Sequence, residues 1–398
     1  MSVRYRVYLT PQVTKGTYGT EIEISDRVTL SGLNKMRKSL DSSDFDIGAY
    51  YYGDINLTGA NDDGFFSEDD DRSVFPGGRD LSKVRVSFDE SGTETTLFKG
   101  LINEESTRLN IVTNSIQMRV LSQDSVIRTA KVNPAVIPNG VSASSAMLTI
   151  LNQAHITNIL GVDAGNINVP YDPNIDDGSQ YDNLSVRDVL NELLLISNSV
   201  MFIDSNDDII IRSRNENANP IRYLYGPFDM NGRENIVAVK KFNNGKHRMV
   251  NSVKVNNSEV NDGDLINTFG FKQKKIDVDS ITAQATEEAI AQVILDEFKA
   301  PKIELELTVK TELAKGYDLQ DRVSVNYPKR YATDKRFLPI VGINAIDQEN
   351  SPLPYVYGSA SIDPGLGFKI ISIDHSAKNF TTDIKLRQIG ITLSDGLL

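Results

Sequence analysis

The sequence has no cysteine and no tryptophan, and only three histidines in 398 residues. Without a thiol there can be no disulfide staple, thiolate nucleophile, zinc ribbon or iron–sulfur cluster. Without tryptophan, a sugar-gripping cleft lacks the broad aromatic face that such sites commonly use. His155, His247 and His375 stand far apart, expected on a helix, in a glycine-rich turn and in a hairpin loop, and each reads as an ordinary structural histidine. Long apolar runs are missing as well. The most apolar stretch, Leu190 to Ile203, is broken by Asn191, Glu192, Ser197, Asn198 and Ser199, so it falls short of the ~20 residues that a membrane span requires. Met1 to Tyr8 alternates apolar and polar residues as a strand does, and no signal peptide is expected there.

Catalytic signatures are equally scarce: no Gly-x-Ser-x-Gly, His-Glu-x-x-His, Walker loop or dinucleotide fingerprint occurs. A glycosidase needs only two carboxylates, and 54 acidic residues leave that reading open. Against 54 Asp and Glu stand 42 Lys and Arg, a formal charge of −12, which speaks against nucleic acid as a tightly held ligand because that affinity comes largely from neutralising phosphates. Two acidic stretches invite a calcium reading: Asn61 to Gly64 with Ser67 to Asp71, and Asp204 to Asp208. Neither has the glycine and terminal glutamate spacing of an EF-hand, so both read as solvated turns. No catalytic, cofactor-binding or metal-ligating residue is assigned. Tyr50 to Tyr52 and the pair Tyr355 and Tyr357 read as packing or subunit-contact residues.

What is present is construction material. A chain of 398 residues exceeds one ordinary core, so two to four domains are expected. Residues 1–132 read as all β. Glu21 to Ile24 and Arg27 to Leu30 form short alternating runs. A hairpin then places Val84, Val86 and Phe88 on one side, turns at Ser91-Gly92, returns through Leu97 and Phe98, and exits at Gly100. Ile116, Met118 and Val120 repeat the alternation. Residues 133–219 mix helix and strand. One helix spans Ser142 to about Ala154; a second has Ser185 as N-cap, Asp188 as capping-box partner, and Leu190 and Leu193 among its apolar positions. Strands at Val200 to Ile203 and Ile209 to Ile211 flank the turn at Asp204. Residues 220–398 read as mostly β with one helix. An Asn244-Gly245 hairpin turn precedes a strand at Asn251 to Val255, and Thr286 caps a helix that ends at Pro301. Next, Ile303, Leu305, Leu307 and Val309 alternate with Glu304, Glu306, Thr308 and Lys310, giving one dry and one wet face. In a closing hairpin, Phe368, Ile370 and Ile373 face Phe380, Ile384 and Leu386, with Ile391 to Leu398 as a tail.

The order of these motifs resembles the baseplate hub, or tail hub, proteins of tailed bacteriophages, whose fold recurs in the spike proteins of contractile injection systems. The resemblance spans nearly the whole chain. It rests on Leu97-Phe98-Lys99-Gly100-Leu101-Ile102, on Ser185 to Leu194 followed by the Phe202-Ile203-Asp204 to Ile209-Ile210 hairpin, and on Asn251 to Val255. The helix before Pro301, the run Leu319-Gln320-Asp321-Arg322-Val323-Ser324-Val325 and the final hairpin complete it. Phe98, Gly100, Ser185, Leu190, Leu193, Asp204, Asp321 and Val323 are the structural motif residues so implied. The fold implied is mainly β with α+β insertions: two β-barrel tube domains and a smaller α/β domain, the barrels assembled from noncontiguous pieces of chain. The implied role is a homotrimeric ring in the virion that joins a hexameric tail tube to the distal tip. Its partners would be a tail-tube or distal tail protein, a tape-measure protein, and a tip fibre or spike, with DNA present only in transit. Hubs often carry Gly-Asp where this chain has Gln320-Asp321, so a different turn is expected there. A virion receptor- or glycan-binding β protein and a cell-wall glycoside hydrolase are the other readings.

Overall fold

The computed structural model describes residues 3–14, 16–28, 36–40, 51–67, 71–75, 78, 80–122, 124–132, 141–156, 158–163, 184–213, 222–226, 235–243, 248–278, 281, 283–326 and 367–389. The first part of the chain gives β1 (Val3–Thr10), β2 (Gln12–Thr14), β3 (Thr17–Tyr18), β4 (Ile22–Glu23), β5 (Met36–Leu40), β6 (Tyr51–Ala60), β7 (Lys83–Glu90), β8 (Thr93–Asn110), β9 (Ser115–Leu121) and α1 (Asp124–Thr129). There follow α2 (Ala143–Gln153), β10 (Ile159–Asp163), α3 (Val186–Ile196), β11 (Ser199–Ile203) and β12 (Ile209–Ser213). The remainder gives β13 (Arg222–Tyr225), β14 (Ile236–Asn243), β15 (Ser252–Val255), β16 (Ser258–Asn261), α4 (Gly263–Phe269), β17 (Gln273–Ile276), α5 (Gln284–Phe298), β18 (Glu304–Lys310), α6 (Thr311–Ala314), β19 (Arg322–Asn326), β20 (Phe368–Ser376) and β21 (Thr381–Gln388).

The fold is mainly β with α insertions. A 13-stranded sheet runs β14-β18-β21-β20-β5-β6-β9-β8-β7-β1-β4, with β19 joining β20 and β13 joining β19. Strand β5 pairs antiparallel with β20, Ile373 opposite Lys38, so early and late strands share one hydrogen-bonded ladder. Two apolar cores back this sheet. One is built from Tyr5 to Val120 with Ala377; the other joins Val200, Phe202 and Ile210 to residues between Leu224 and Leu386. A third core lies between α1, α2, α3 and the sheet β10-β12-β11. The fourth packs α5 on the sheet β16-β15-β17.

Local chemistry explains the best-defined elements. At α3 the Ser185 hydroxyl accepts from Asp188 N at 3.1 Å while the Asp188 carboxylate accepts from Ser185 N at 3.3 Å, so two otherwise orphan donors are satisfied. Its buried side, Val186, Val189, Leu190, Leu193, Leu194 and Ile196, contributes about 2 kcal/mol per large side chain removed from water. At the β7–β8 turn both Ser91 (φ 53°) and Gly92 (φ 90°) adopt positive φ, the backbone that matches the twist of a tight hairpin.

Gly100 is not an exit, because β8 runs straight through it to Asn110. Its role is close approach: a Cβ there would lie 2.5 Å from the carbonyl oxygen of Leu121 on the neighbouring β9. Gly100→Ala is therefore expected to lose about 1–3 kcal/mol, the cost of forcing atoms into a packed site. Urea unfolding checks this, and an unchanged midpoint would contradict it.

Several other expectations give way for physical reasons. Helix α5 starts two residues before Thr286, with Ala283 as N-cap, so Thr286 lies in the first turn. Two further helices, α4 and α6, share residues 220–398 with it, both too short to show a period in the sequence. Asn244 and Gly245 lie outside the described residues, but the strands flanking them, β14 and β15, belong to different sheets and form no hairpin. The face of β18 expected to be wet is covered at Glu304 and Thr308, while Glu306 is half-buried and Lys310 exposed. Glu304 is buried against Arg387, and the Thr308 hydroxyl donates to Asp383 at 2.7 Å. Phe380 does not pair in the closing hairpin; it takes φ 52° in the turn and packs on Tyr5 at 5.5 Å between ring centroids. Ile370 faces Leu386 and Ile373 faces Ile384 as read. His155 sits just beyond α2 with φ 57°, and His375 lies inside β20 rather than in a loop. His247, Tyr50, Tyr355, Tyr357 and Ile391 to Leu398 lie outside the described residues.

Candidate assembly site

The eight motif residues fall into three places. Phe98 is buried opposite Val86, two residues before Gly100 on β8. Ser185, Leu190 and Leu193 cap and fill α3. Asp204, Asp321 and Val323 are drawn toward one another. Val323 is buried on β19 beside Phe368, and the turns carrying Asp204 and Asp321 meet through two residues that the motif reading did not single out, Ser205 and Asp318.

The Asp204 carboxylate folds its own turn, accepting from Asn206 N at 2.7 Å and Asp208 N at 2.9 Å, an Asx turn that leaves Asp207 at φ 65°. That turn aims Ser205 outward, where its backbone N–H and hydroxyl donate to Asp318 Oδ2 at 3.0 and 3.3 Å. Asp318 Oδ1 accepts from Lys38 Nζ at 3.2 Å and from Leu319 N at 2.9 Å. Asp318 N in turn donates to Asp321 Oδ2 at 3.0 Å. One carboxylate thus fastens β5, the β11–β12 turn and the turn before β19, which come from the beginning, middle and end of the sequence.

The turn before Asp321 places a residue in the left-handed region that glycine favours. Gln320 stands at φ 65°, a conformation that costs an L side chain of this kind about 1–2 kcal/mol, and its N–H donates to Ile370 O at 2.8 Å. Burial pushes the Asp321 carboxyl up, with the charge of Asp318 adding; the Asp318 N–H, Arg222 and Arg212 oppose it. Lys38 is buried to 5% side-chain exposure, and it lies close enough to His375 to help hold that imidazole neutral, behind burial itself.

Chemically the cluster is a clamp. It holds paired charges, a serine hydroxyl and backbone donors around one carboxylate, and among the described residues no group of three or more His, Cys, Asp or Glu could hold a metal ion. Lys38 carried a signal in the sequence: it stands two residues from the apolar Met36 and so shares its strand face, where a lysine must reach the interior. Asp318 three residues before Asp321 is likewise a spacing at which a carboxylate reaches back to a backbone N–H.

No family model and no curated protein matches this chain. Solved structures do match. A tail protein from Neisseria meningitidis MC58, 12% identical, aligns over 98% of this chain and 97% of its own with a TM-score of 0.55. The fold is that of tail proteins. The 43 kDa tail protein of prophage MuSo2 from Shewanella oneidensis aligns over 97% and 96% at 12% identity and TM-score 0.53. Prophage tail protein gp18 from Listeria monocytogenes EGD-e aligns over 96% and 94% at 11% identity and TM-score 0.52. At such identities the likeness is one of fold. Because the alignments run end to end, the shared feature is the whole succession of modules rather than one domain. The resemblance read from the order of motifs and the structural likeness agree.

Proposed function

We propose that this chain is a structural, non-enzymatic protein of a phage tail tip: a hub of three copies that joins a sixfold tail tube to the distal spike or fibres. The end-to-end likeness to tail proteins carries this reading. Residues 1–132 and 220–398 are taken as the two tube domains, with 133–219 as the α/β domain between them. Two similar units per chain and three chains per ring give the six positions that such a tube needs. The separate apolar cores of the large sheet support the pairing of two units. The motif residues Phe98, Gly100, Ser185, Leu190, Leu193, Asp204, Asp321 and Val323 serve as structural anchors, and the Asp318 clamp fixes the modules relative to one another.

The net charge of −12 suits a conduit: an acidic ring repels phosphate, so DNA and the tape-measure protein pass without being held. The place of such a ring is the virion tail. Light scattering with negative-stain imaging of the purified chain tests the reading. A trimer with a threefold ring is expected; a monomer would overturn it, and a glycan-array response or clearing of cell-wall substrate would favour the adhesin or hydrolase reading instead.

A further inference from the structure

Two apolar displays on the described surface have no partner among the described residues. The first is the tip of the β8–β9 hairpin, where Leu109, Ile111 and Val112 are 50%, 80% and 94% exposed. It is locked in shape. Asn110 Oδ1 accepts from Val112 N at 3.1 Å and Thr113 N at 3.2 Å, and the Thr113 and Ser115 hydroxyls pair at 2.8 Å. The second display is α4, a seven-residue helix with no buried residue. Its Leu265, Ile266 and Phe269 are only partly covered, and the next aromatic, Phe271, is 60% exposed.

A helix this short does not persist in water by propensity alone, and α4 has not bought its order by burying a face. It is pinned instead by Asn251, fully buried beneath it. Asn251 O accepts from the cap residue Asp262 N at 2.9 Å, its Nδ2 donates to Gly270 O at 2.6 Å, and its Oδ1 accepts from Lys272 N at 2.7 Å. Both displays are therefore preorganised, which lowers the entropy lost when a partner is bound.

We propose that they are the two halves of one contact between copies of this chain: the hairpin tip of one copy seats on the α4 face of the next. Charge selects this occupant. Copies bearing −12 repel one another in general, so a contact between them is favoured where local signs differ. Arg108, exposed beside the tip and making no ion pair among the described residues, is complementary to Asp262 and Asp264 on α4. A tip-to-helix contact is head-to-tail and generates a ring when its rotation closes. The inference rests on the trimeric ring proposed above and names the surfaces that would close it.

The test uses the full-length chain with Val112→Asp, which spoils the tip, and Phe271→Asp, which spoils the helix face. Circular dichroism establishes that each remains folded; both positions are exposed, so no core is disturbed. Light scattering should show a wild-type trimer, and each variant alone as a monomer, with the concentration needed for assembly raised about 100-fold, the scale of an interface anchor. An equal mixture of the two should yield one-to-one dimers, since one intact tip and one intact α4 face remain between them. Variants that stay trimeric, or a mixture that gives no dimer, would overturn this contact while leaving the ring reading standing. A monomeric wild-type chain would overturn both.

Discussion

Replacing Glu304 by alanine is expected to cost about 3–5 kcal/mol of folding stability, the scale for removing one partner of a buried ion pair. Glu304 Oε1 accepts from Arg387 Nε at 3.0 Å and from its Nη2 at 2.8 Å, with Arg248 Nη1 at 3.4 Å. The Arg387 side chain is 2% exposed and that of Glu304 8%. The two face one another directly across the β18–β21 ladder. Alanine at 304 therefore removes the carboxylate that two of the Arg387 guanidinium nitrogens share, while the guanidinium itself stays charged and buried. Glu304→Gln keeps an acceptor but loses the charge and should fall between alanine and wild type. The double variant Glu304→Met with Arg387→Met should recover most of the loss, because a well-packed apolar pair avoids the desolvation cost of both ions. Urea unfolding of the four proteins decides it. A loss below about 1 kcal/mol for alanine, the range of exposed pairs, would overturn this account of the pair.

That outcome bears on how much of the molecule the sequence disclosed. Features set by neighbours in the chain were legible: the Ser185 and Asp188 capping box, the apolar alternation of Val84, Val86 and Phe88, and the Ile370 and Ile373 side of the closing hairpin. Alternation at Glu304 and Glu306 misled because period 2 reports which residues share a face, not whether that face meets water or another charged strand. The β5–β20 pairing joins residues too far apart for any local pattern to announce. For the same reason the clamp was only half visible. Asp204 and Asp321 were picked out, while Asp318, Ser205 and Lys38, which make the contacts, were not. Gly100 was noticed as a glycine, yet its cause, the Leu121 carbonyl on the next strand, exists only in three dimensions. The motif order nevertheless led to the tail-protein fold, because the succession of elements is a property of the whole chain and survives where single residues do not.

Acid should weaken the fold through His375 more than through any other histidine described. His375 lies fully inside β20; its Nδ1 pairs with Thr382 Oγ1 at 2.8 Å, and Thr382 pairs with Thr311 Oγ1 at 3.0 Å. Tyr5 OH donates weakly to that Thr311 at 3.4 Å, so a polar thread links β20, β21, α6 and β1 through the apolar interior. Burial first, and then the nearby Lys38 ammonium, hold the imidazole down to about 3 from its usual 6.5. The unfolded chain then takes up a proton between these values that the folded chain refuses, and stability falls as pH falls through that window. At about 1.4 kcal/mol for each pH unit, the loss between pH 6.5 and 5 is about 2 kcal/mol, and it continues toward pH 3. His375→Asn can keep a partner for Thr382 but has nothing to protonate. It should begin less stable at pH 7, because it leaves space unfilled, and should then lose about 2 kcal/mol less than wild type on going to pH 5. Taking the difference between the two curves removes the carboxylates common to both, such as Asp89 beside Arg6, whose titration also erodes stability in acid. Parallel curves would mean that the imidazole accepts its proton inside the folded sheet, and the thread from β20 to β1 would then have to open without unfolding the protein.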